Sequence, residues 1–243
     1  MSAKKPRGAA RARAGSAGRG EGSTYFNVNV IITNLPELVR GAGLTLLLSV
    51  EAMMVGIVLG AIGCGLQLYA GRWPRRIVQA WIEVVRNTPL IVQLFVIYFG
   101  LPEFGFRLSA NLAALLGLSI YLGAFATEIF RAGVESVPTG QIEAGRALGL
   151  RRLMIFRFIV AVPALRAILP ALGSQFTLIM LATSVVSTIS ADDLASIANG
   201  LQTTSFRPFE IYLAASLIYL AMALTLRGLL TVVAGAYVGR WQE

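Results

Sequence analysis

Apolar stretches long enough to cross a lipid bilayer recur five times along this chain of 243 residues. They lie at residues 43–68, 77–101, 111–130, 168–186 and 211–233, and each approaches the roughly 20 residues that a membrane-spanning helix needs. The composition agrees, because 56% of the residues are hydrophobic and only 14% are charged, whereas about 25% are charged in ordinary soluble domains. We therefore predict an all-α integral membrane protein with five transmembrane helices.

The residues before the first span divide into two parts. Residues 1–24 are rich in Ala, Gly, Ser and Arg and lack apolar periodicity, which predicts a disordered basic tail. The tail does not fit a secretory signal peptide, because a largely polar stretch follows its positive charges where an apolar region should follow. Residues 36–40 are expected to form a separate short interfacial helix. No linker interrupts the apolar remainder, so a single membrane domain is expected.

The residue types present exclude several chemistries. The chain has no His and one Cys, Cys64, and its only lysines are Lys4 and Lys5. Neither lysine follows the glycines of a phosphate-binding loop, and no zinc site, disulfide, Cys-His pair or Ser-His pair is expected. The net charge of +9 does not indicate nucleic-acid binding. Most basic residues outside the tail flank apolar spans, where positive charge marks the cytoplasmic side.

The segment 131–166 separates the third and fourth spans and carries six arginines against two glutamates. This strong positive charge places it in the cytoplasm. Thr139 is expected to cap a short helix that Gly149 ends, since Thr favours the N-cap and Gly the end of a helix. Such a helix would lie parallel to the membrane and present Ala144, Gly145 and Gly149 to another protein. A merely solvated loop is the alternative.

The predicted topology follows from that cytoplasmic segment. With five spans, the N-terminus is expected outside and the C-terminus in the cytoplasm. The six basic residues of the tail favour the opposite side, but they lie about 20 or more residues before the first span, at the edge of the window in which charges count. The polar stretch 187–210 is then expected outside, where its length fits a short helix.

Three features inside the spans are notable. Gly56 and Gly60 have the small-x-x-x-small spacing that lets another helix approach closely, and Ala61 and Gly65 repeat it. Glu51 is an intramembrane carboxylate that either snorkels, pairs with another group or faces a solute path. The third feature is a polar cluster around Pro89, which cannot donate a backbone hydrogen bond. This cluster is either a structural kink or a place where polar side chains line the path: Asn87, Thr88 and Gln93.

The cytoplasmic segment resembles the membrane subunits of ATP-binding-cassette (ABC) importers, specifically the polar amino acid uptake permeases. The family's mark is E-A-A, three residues, G, nine residues, then I-x-L-P. Glu143, Ala144, Gly149 and Ile159 fit this mark; Gly145 replaces the second alanine, and the proline is displaced to position 163. The resemblance extends over residues 39–239 and includes three further stretches, at residues 86–95, 128–133 and 183–187.

The resemblance implies the fold of a type I ABC importer permease, called MetI-like, with a cytoplasmic coupling helix between spans three and four. The implied protein translocates polar amino acids across a bacterial inner membrane and is not itself an enzyme. It would bind no cofactor, because ATP is used by a separate ATPase dimer. The other implied partners are a second permease subunit, identical or homologous, and a periplasmic solute-binding protein.

The candidate residues follow from the residue patterns and the resemblance together. The expected ATPase-coupling residues are Glu143, Ala144, Gly145 and Gly149. The expected path or substrate residues are Glu51, Asn87, Thr88, Gln93, Thr183 and Ser184. Relatives often carry a lysine before the Thr-Ser pair, where this chain has Leu181. The alternative function is a secondary transporter driven by an ion gradient, which would need midplane coupling groups and often two related halves. The chain has no evident internal repeat, and Glu51 is its one candidate coupling group.

Overall fold

The computed structural model describes residues 26–239, and every regular element in that range is helical. The predicted basic tail, residues 1–24, lies outside the described residues. The main helices, in chain order, are α1 (Val28–Tyr69), α2 (Arg72–Asn87), α3 (Leu90–Phe95), α4 (Ala110–Glu135), α5 (Thr139–Ala147), α6 (Arg152–Met154), α7 (Ala161–Ala182), α8 (Leu194–Ser205) and α9 (Pro208–Gly239). Four helical stretches are long and apolar enough to cross a membrane, and the bent pair formed by α2 and α3 makes a fifth candidate. The predicted five spans are therefore all present as helices.

Helix α1 is 42 residues long and, at about 1.5 Å per residue, is roughly twice as long as the hydrocarbon core is thick. Asn27 is its N-cap, and the Asn27 side chain accepts a hydrogen bond from the Asn29 amide at 3.0 Å. The prediction of a separate helix at residues 36–40 is wrong, because α1 continues through Pro36. Leu38, two residues later, is fully buried against α8 and α9, and this packing supports the helix despite the lost backbone hydrogen bond.

Helices α1 and α4 pack together closely through small residues. A Cβ atom placed on Gly56 would lie 2.8 Å from Leu122, and one placed on Gly60 would lie 2.5 Å from the Cβ atom of Ala126. The prediction that Gly56 and Gly60 permit close helix approach is confirmed. The second pair follows another face of α1, since nothing lies within 4 Å of a Cβ placed on Gly65.

The second span is broken. Helix α2 ends at Asn87, and the stretch Leu90–Phe104 leaves it at an angle of 111°. That stretch contains α3, a π-helical turn (Val96–Gly100) and a 3-10 turn (Leu101–Phe104). Pro89 lies at the break, and the preceding Thr88 is extended, as the residue before a proline prefers.

The fourth span belongs to a continuous helical stretch, Arg152–Ile189. It consists of α6, a π-helical segment (Ile155–Val160), α7 and a 3-10 helix (Thr183–Ile189). The helix therefore begins well before residue 168, where the sequence placed the span. Hydropathy locates only the part of a helix that is apolar, and exposed arginines such as Arg152 and Arg157 occupy its early turns.

The polar stretch 187–210 contains a short helix, as predicted, and this helix α8 is held by a buried polar cluster. Asp193 is fully buried; its Oδ1 atom accepts from the Ser196 amide at 2.7 Å, and its Oδ2 atom accepts from the Tyr219 hydroxyl at 3.0 Å. The Leu194 amide donates to Thr45 Oγ1 at 3.0 Å. Burial raises the pKa of the Asp193 carboxyl group. The cluster thus joins α1, α8 and α9.

Candidate functional site

Helix α5 is the predicted coupling helix, and its two ends differ in how well they match the prediction. Pro138 occupies the N-cap and Thr139 is the first helical residue, so the prediction of Thr139 as the cap is wrong. At the other end, Gly149 has φ +72°, and the Leu150 amide donates to the Gly145 carbonyl at 3.1 Å. The left-handed conformation favours glycine, and the prediction that Gly149 ends this helix is confirmed.

The small residues of α5 face two directions. A Cβ atom on Gly145 would lie 2.6 Å from Ile159 Cδ1 and 3.3 Å from Ile155 Cγ1, so this glycine packs on its own chain. The sequence-based expectation that Gly145 faces a partner is therefore wrong as to direction. The exposed part, which we call the coupling surface, consists of Glu143, Ala144, Arg146, Ala147, Leu148 and Gly149.

Leu148 was missed in the sequence, and it is 79% exposed. Its apolar side chain is therefore available at the end of α5 for contact with another protein. The sequence did contain a signal for Leu148, because this residue lies between the last residue of α5 and the glycine that ends the helix. The coupling surface therefore combines one apolar side chain with small residues and two opposite charges.

An apolar platform supports α5. Val137, in the short connection from α4, is only 4% exposed and packs with Ile155, Val160 and Ala164. Ile142 of α5 joins the same apolar cluster. Because protein interiors of this kind are close-packed and transmit displacement, α5 is expected to move together with the end of α4 and the start of α7.

Gln93 closes the break between α2 and α3. In a continuous helix the Val85 carbonyl would accept from residue 89, but Pro89 has no N–H group. The Gln93 side-chain amide donates instead to the Val85 carbonyl and to the Thr88 carbonyl, each at 2.9 Å. Of the two alternatives left open for this cluster, the contacts of Gln93 favour the structural kink.

The other predicted path residues occupy two places. Asn87 is exposed and donates to the Glu83 carbonyl at 2.8 Å, and Thr88 is half-buried beside it at the break. Thr183 is buried and donates to the Met180 carbonyl at 2.8 Å. Ser184 donates to the Leu181 carbonyl at 2.8 Å. Thr183 and Ser184 are the first two residues of the 3-10 helix Thr183–Ile189. A 3-10 segment within a longer helix often marks a hinge.

Two of the candidates adjoin one apolar cluster. The cluster contains Ala52 of α1, Leu94 of α3 and Val186 of the 3-10 helix. Glu51 and Gln93, both half-buried, each immediately precede a member of this cluster. The fold therefore brings α1, α3 and the 3-10 helix together, while Glu143 and the rest of the coupling surface lie apart from them beyond the end of α4.

The comparisons with known proteins agree with this architecture. A family profile described as the binding-protein-dependent transport system inner membrane component matches residues 52–238. The chain is 38% identical over 198 residues to the octopine transport system permease protein OccM of Rhizobium meliloti, covering 76% of this chain and 79% of that protein. It is 34% identical over 203 residues to the glutamine transport system permease protein GlnP of Escherichia coli, covering 83% and 93%.

Solved structures give the same result. The fold is similar, with a TM-score of 0.82 and 33% identity, to the crystal structure of an amino acid ABC transporter with histidines, covering 86% of this chain and 98% of that one. The inward-facing MetNI methionine ABC transporter gives a TM-score of 0.71 at 21% identity, which supports the fold alone. The family profile and the first of these structures thus place the chain in the permease class of ABC importers.

The chain belongs to the family of binding-protein-dependent transport system inner membrane components. The predicted MetI-like fold is confirmed, as is the prediction of an ABC importer permease embedded in the membrane through several helices. The comparisons give no support to the alternative of an ion-driven secondary transporter.

Proposed function

We propose that this chain carries a polar amino acid through the bacterial inner membrane into the cytoplasm while a separate ATPase dimer hydrolyses ATP. The observation that carries the proposal is the coupling surface, an exposed helix end on an apolar platform between two membrane spans. The relatives support the class of solute, because their names specify glutamine and octopine. This chain would bind no cofactor and would have no ATPase activity of its own.

The proposed assembly contains a second permease subunit, identical or homologous, and a periplasmic solute-binding protein. The proposed orientation has the N-terminus outside and the coupling surface and C-terminus in the cytoplasm. When ATP draws the ATPase subunits together, the two coupling helices approach each other and the spans rock from inward-facing to outward-facing. ATP shifts this equilibrium only by the difference in its binding energy to the two states, so the coupling helix must move as a rigid part.

The decisive experiment is copurification followed by reconstitution into liposomes. We expect the chain to copurify with an ATPase subunit and to move amino acids only when ATP is hydrolysed, whereas the purified chain alone hydrolyses none. Uptake driven by an ion gradient without ATP would overturn the proposal in favour of secondary transport. As a matched test of the coupling surface, Gly149→Trp should separate ATP hydrolysis from uptake, and normal transport by this variant would remove the surface from the mechanism.

Glu51 is proposed as a specificity residue, since its carboxylate would favour a cationic amino acid. The half-buried position of Glu51 beside Ala52 supports a place near the helices that would line the path. Glu51→Gln should lower uptake of arginine relative to glutamine in the reconstituted complex. An unchanged preference would leave selection to the solute-binding protein and to other permease residues.

A further inference from the structure

Glu128 of α4 faces charged or polar side chains from three helices. Its Oε2 atom lies 2.7 Å from Arg131 Nη2 and 4.0 Å from Arg86 Nη1, while its Oε1 atom accepts from Arg131 Nε at 3.2 Å. Arg86 lies in the last turn of α2, and Gln67 of α1 also faces the carboxylate. One carboxylate therefore meets α1, α2 and α4 at the end of the bundle that leads into the coupling helix.

The network continues toward α5. Arg131 Nη1 also lies 2.6 Å from Glu135 Oε2, and Glu135 is the last residue of α4. Three residues separate it from the start of α5, and one of them, Val137, is buried in the platform. Arg131 and Glu135 both lie on α4, so their pair stabilises the last turns of that helix, and α4 itself connects the platform to Glu128.

The other end of the network reaches the break in the second span. Arg86 is separated from Pro89 by only two residues, and its guanidinium group lies 5.2 Å from the centre of the Phe125 ring on α4. Arg86 therefore contacts two side chains of α4, Phe125 and Glu128. A displacement of α4 would displace the end of α2, at the bend from which α3 departs.

The ion pairs around Glu128 are expected to add little to the stability of the fold. The side chains of Arg86, Glu128 and Arg131 are 44%, 25% and 32% exposed, and ion pairs open to solvent contribute little to folding. The bidentate pair with Arg131 lies within α4 and fixes the orientation of the Glu128 carboxylate. That carboxylate then lies 4.0 Å from Arg86 of α2, so this contact crosses from one helix to the other. We propose that Glu128 is a positioning residue that transmits movement of the coupling helix to the bend between α2 and α3.

This inference rests on the proposed function, so its test uses the complete ABC complex in liposomes. The variants are Glu128→Gln, Arg86→Gln and the double variant, with Glu135→Gln as the matched control. Glu128→Gln keeps the size of the side chain and leaves Arg131 its partner Glu135. The control removes the other carboxylate bound to Arg131 but leaves the contact with Arg86 intact. The measurements are ATPase copurification, the ATP hydrolysis rate, and solute uptake per ATP hydrolysed.

We expect both single variants to copurify with the ATPase and to hydrolyse ATP, with uptake per ATP reduced by roughly 2- to 30-fold, the range for residues that couple distant sites. The double variant should be no worse than the more severe single variant, because both substitutions remove the same contact. Glu135→Gln should retain at least half of wild-type uptake per ATP. If the Glu128→Gln complex fails to assemble, uptake per ATP in Arg86→Gln, at its exposed position, tests the inference instead.

Two results would overturn the inference. One is unchanged uptake per ATP in Arg86→Gln, and the other is a double variant whose loss is the product of the two single losses. Failure of the proposed function has a different signature, since wild-type complexes would then show no ATP-dependent uptake at all. The two failures are therefore distinguishable in one experiment.

Discussion

Replacement of Gln93 by methionine tests whether the break in the second span is closed by a side chain. Methionine is similar in length and unbranched, but it cannot donate to the carbonyl groups of Val85 and Thr88. A buried carbonyl left without a partner costs about 1–3 kcal/mol. Because the side chain of Gln93 is only half-buried, we take about 1–3 kcal/mol for the two groups together and not twice that amount.

This loss is measurable in the purified, detergent-solubilised protein. For a chain of this size, each kcal/mol lowers the melting temperature by about 2–4 °C, so Gln93→Met should melt roughly 2–12 °C below the wild type. Gln79→Met is the matched control, since Gln79 makes an exposed 3.4 Å contact with Glu83 on α2. Equal melting temperatures for Gln93→Met and the control would refute the conclusion that Gln93 replaces the amide that Pro89 lacks.

Three further predictions concern packing and protonation. Gly60→Leu should prevent the approach of α1 to Ala126 and abolish folded protein, as judged by size-exclusion profile in detergent, whereas Gly65→Leu should not. Gly145→Val should force Ile159 aside at a cost of about 1–3 kcal/mol, lowering the melting temperature and the ATPase copurification yield together. The pKa of Asp193 is raised above 3.8 in the native state, so the native state binds the carboxyl proton more tightly than the unfolded state does. Protonation of Asp193 therefore stabilises the fold at low pH, and this stabilisation is lost as the pH rises from 3.8 through the raised pKa. In Asp193→Asn, which can still cap α8, the melting temperature should therefore fall less between about pH 4 and pH 7 than in the wild type; an unchanged slope would contradict the assignment.

The sequence predicted the spans and the coupling helix because both depend on local signals. Long apolar stretches need a bilayer, and clustered arginines mark the cytoplasmic side. The break near Pro89 was also readable, since proline removes a donor and restricts the residue before it. The ends of α1 and of the stretch Arg152–Ile189 could not be predicted from the sequence. These helices continue beyond their apolar parts and are held there by tertiary packing.

Contacts between distant residues account for most of the remaining differences. In the sequence Asp193 is one more charge in a polar stretch, yet the fold buries it completely beneath Tyr219 of α9. The wrong expectation for Gly145 has the same cause. As a small residue in a coupling motif it suggests a partner surface, but Ile155 and Ile159 fill the space beside it. Only the path of the chain after Gly149 determines which face of α5 is covered.

The bend between α2 and α3 combines two devices that act on different aspects of the same element. Gln93 satisfies the backbone groups freed by Pro89 and therefore lowers the cost of the bend itself. Arg86, in the last turn of α2, lies 4.0 Å from Glu128, and in the proposed mechanism this contact positions the bend relative to α4. Methionine at position 93 should accordingly reduce stability, while glutamine at position 86 should reduce uptake per ATP at nearly unchanged stability. If both substitutions reduced stability and coupling in the same proportion, the bend would be a single structural unit and the separate role of Arg86 would be lost.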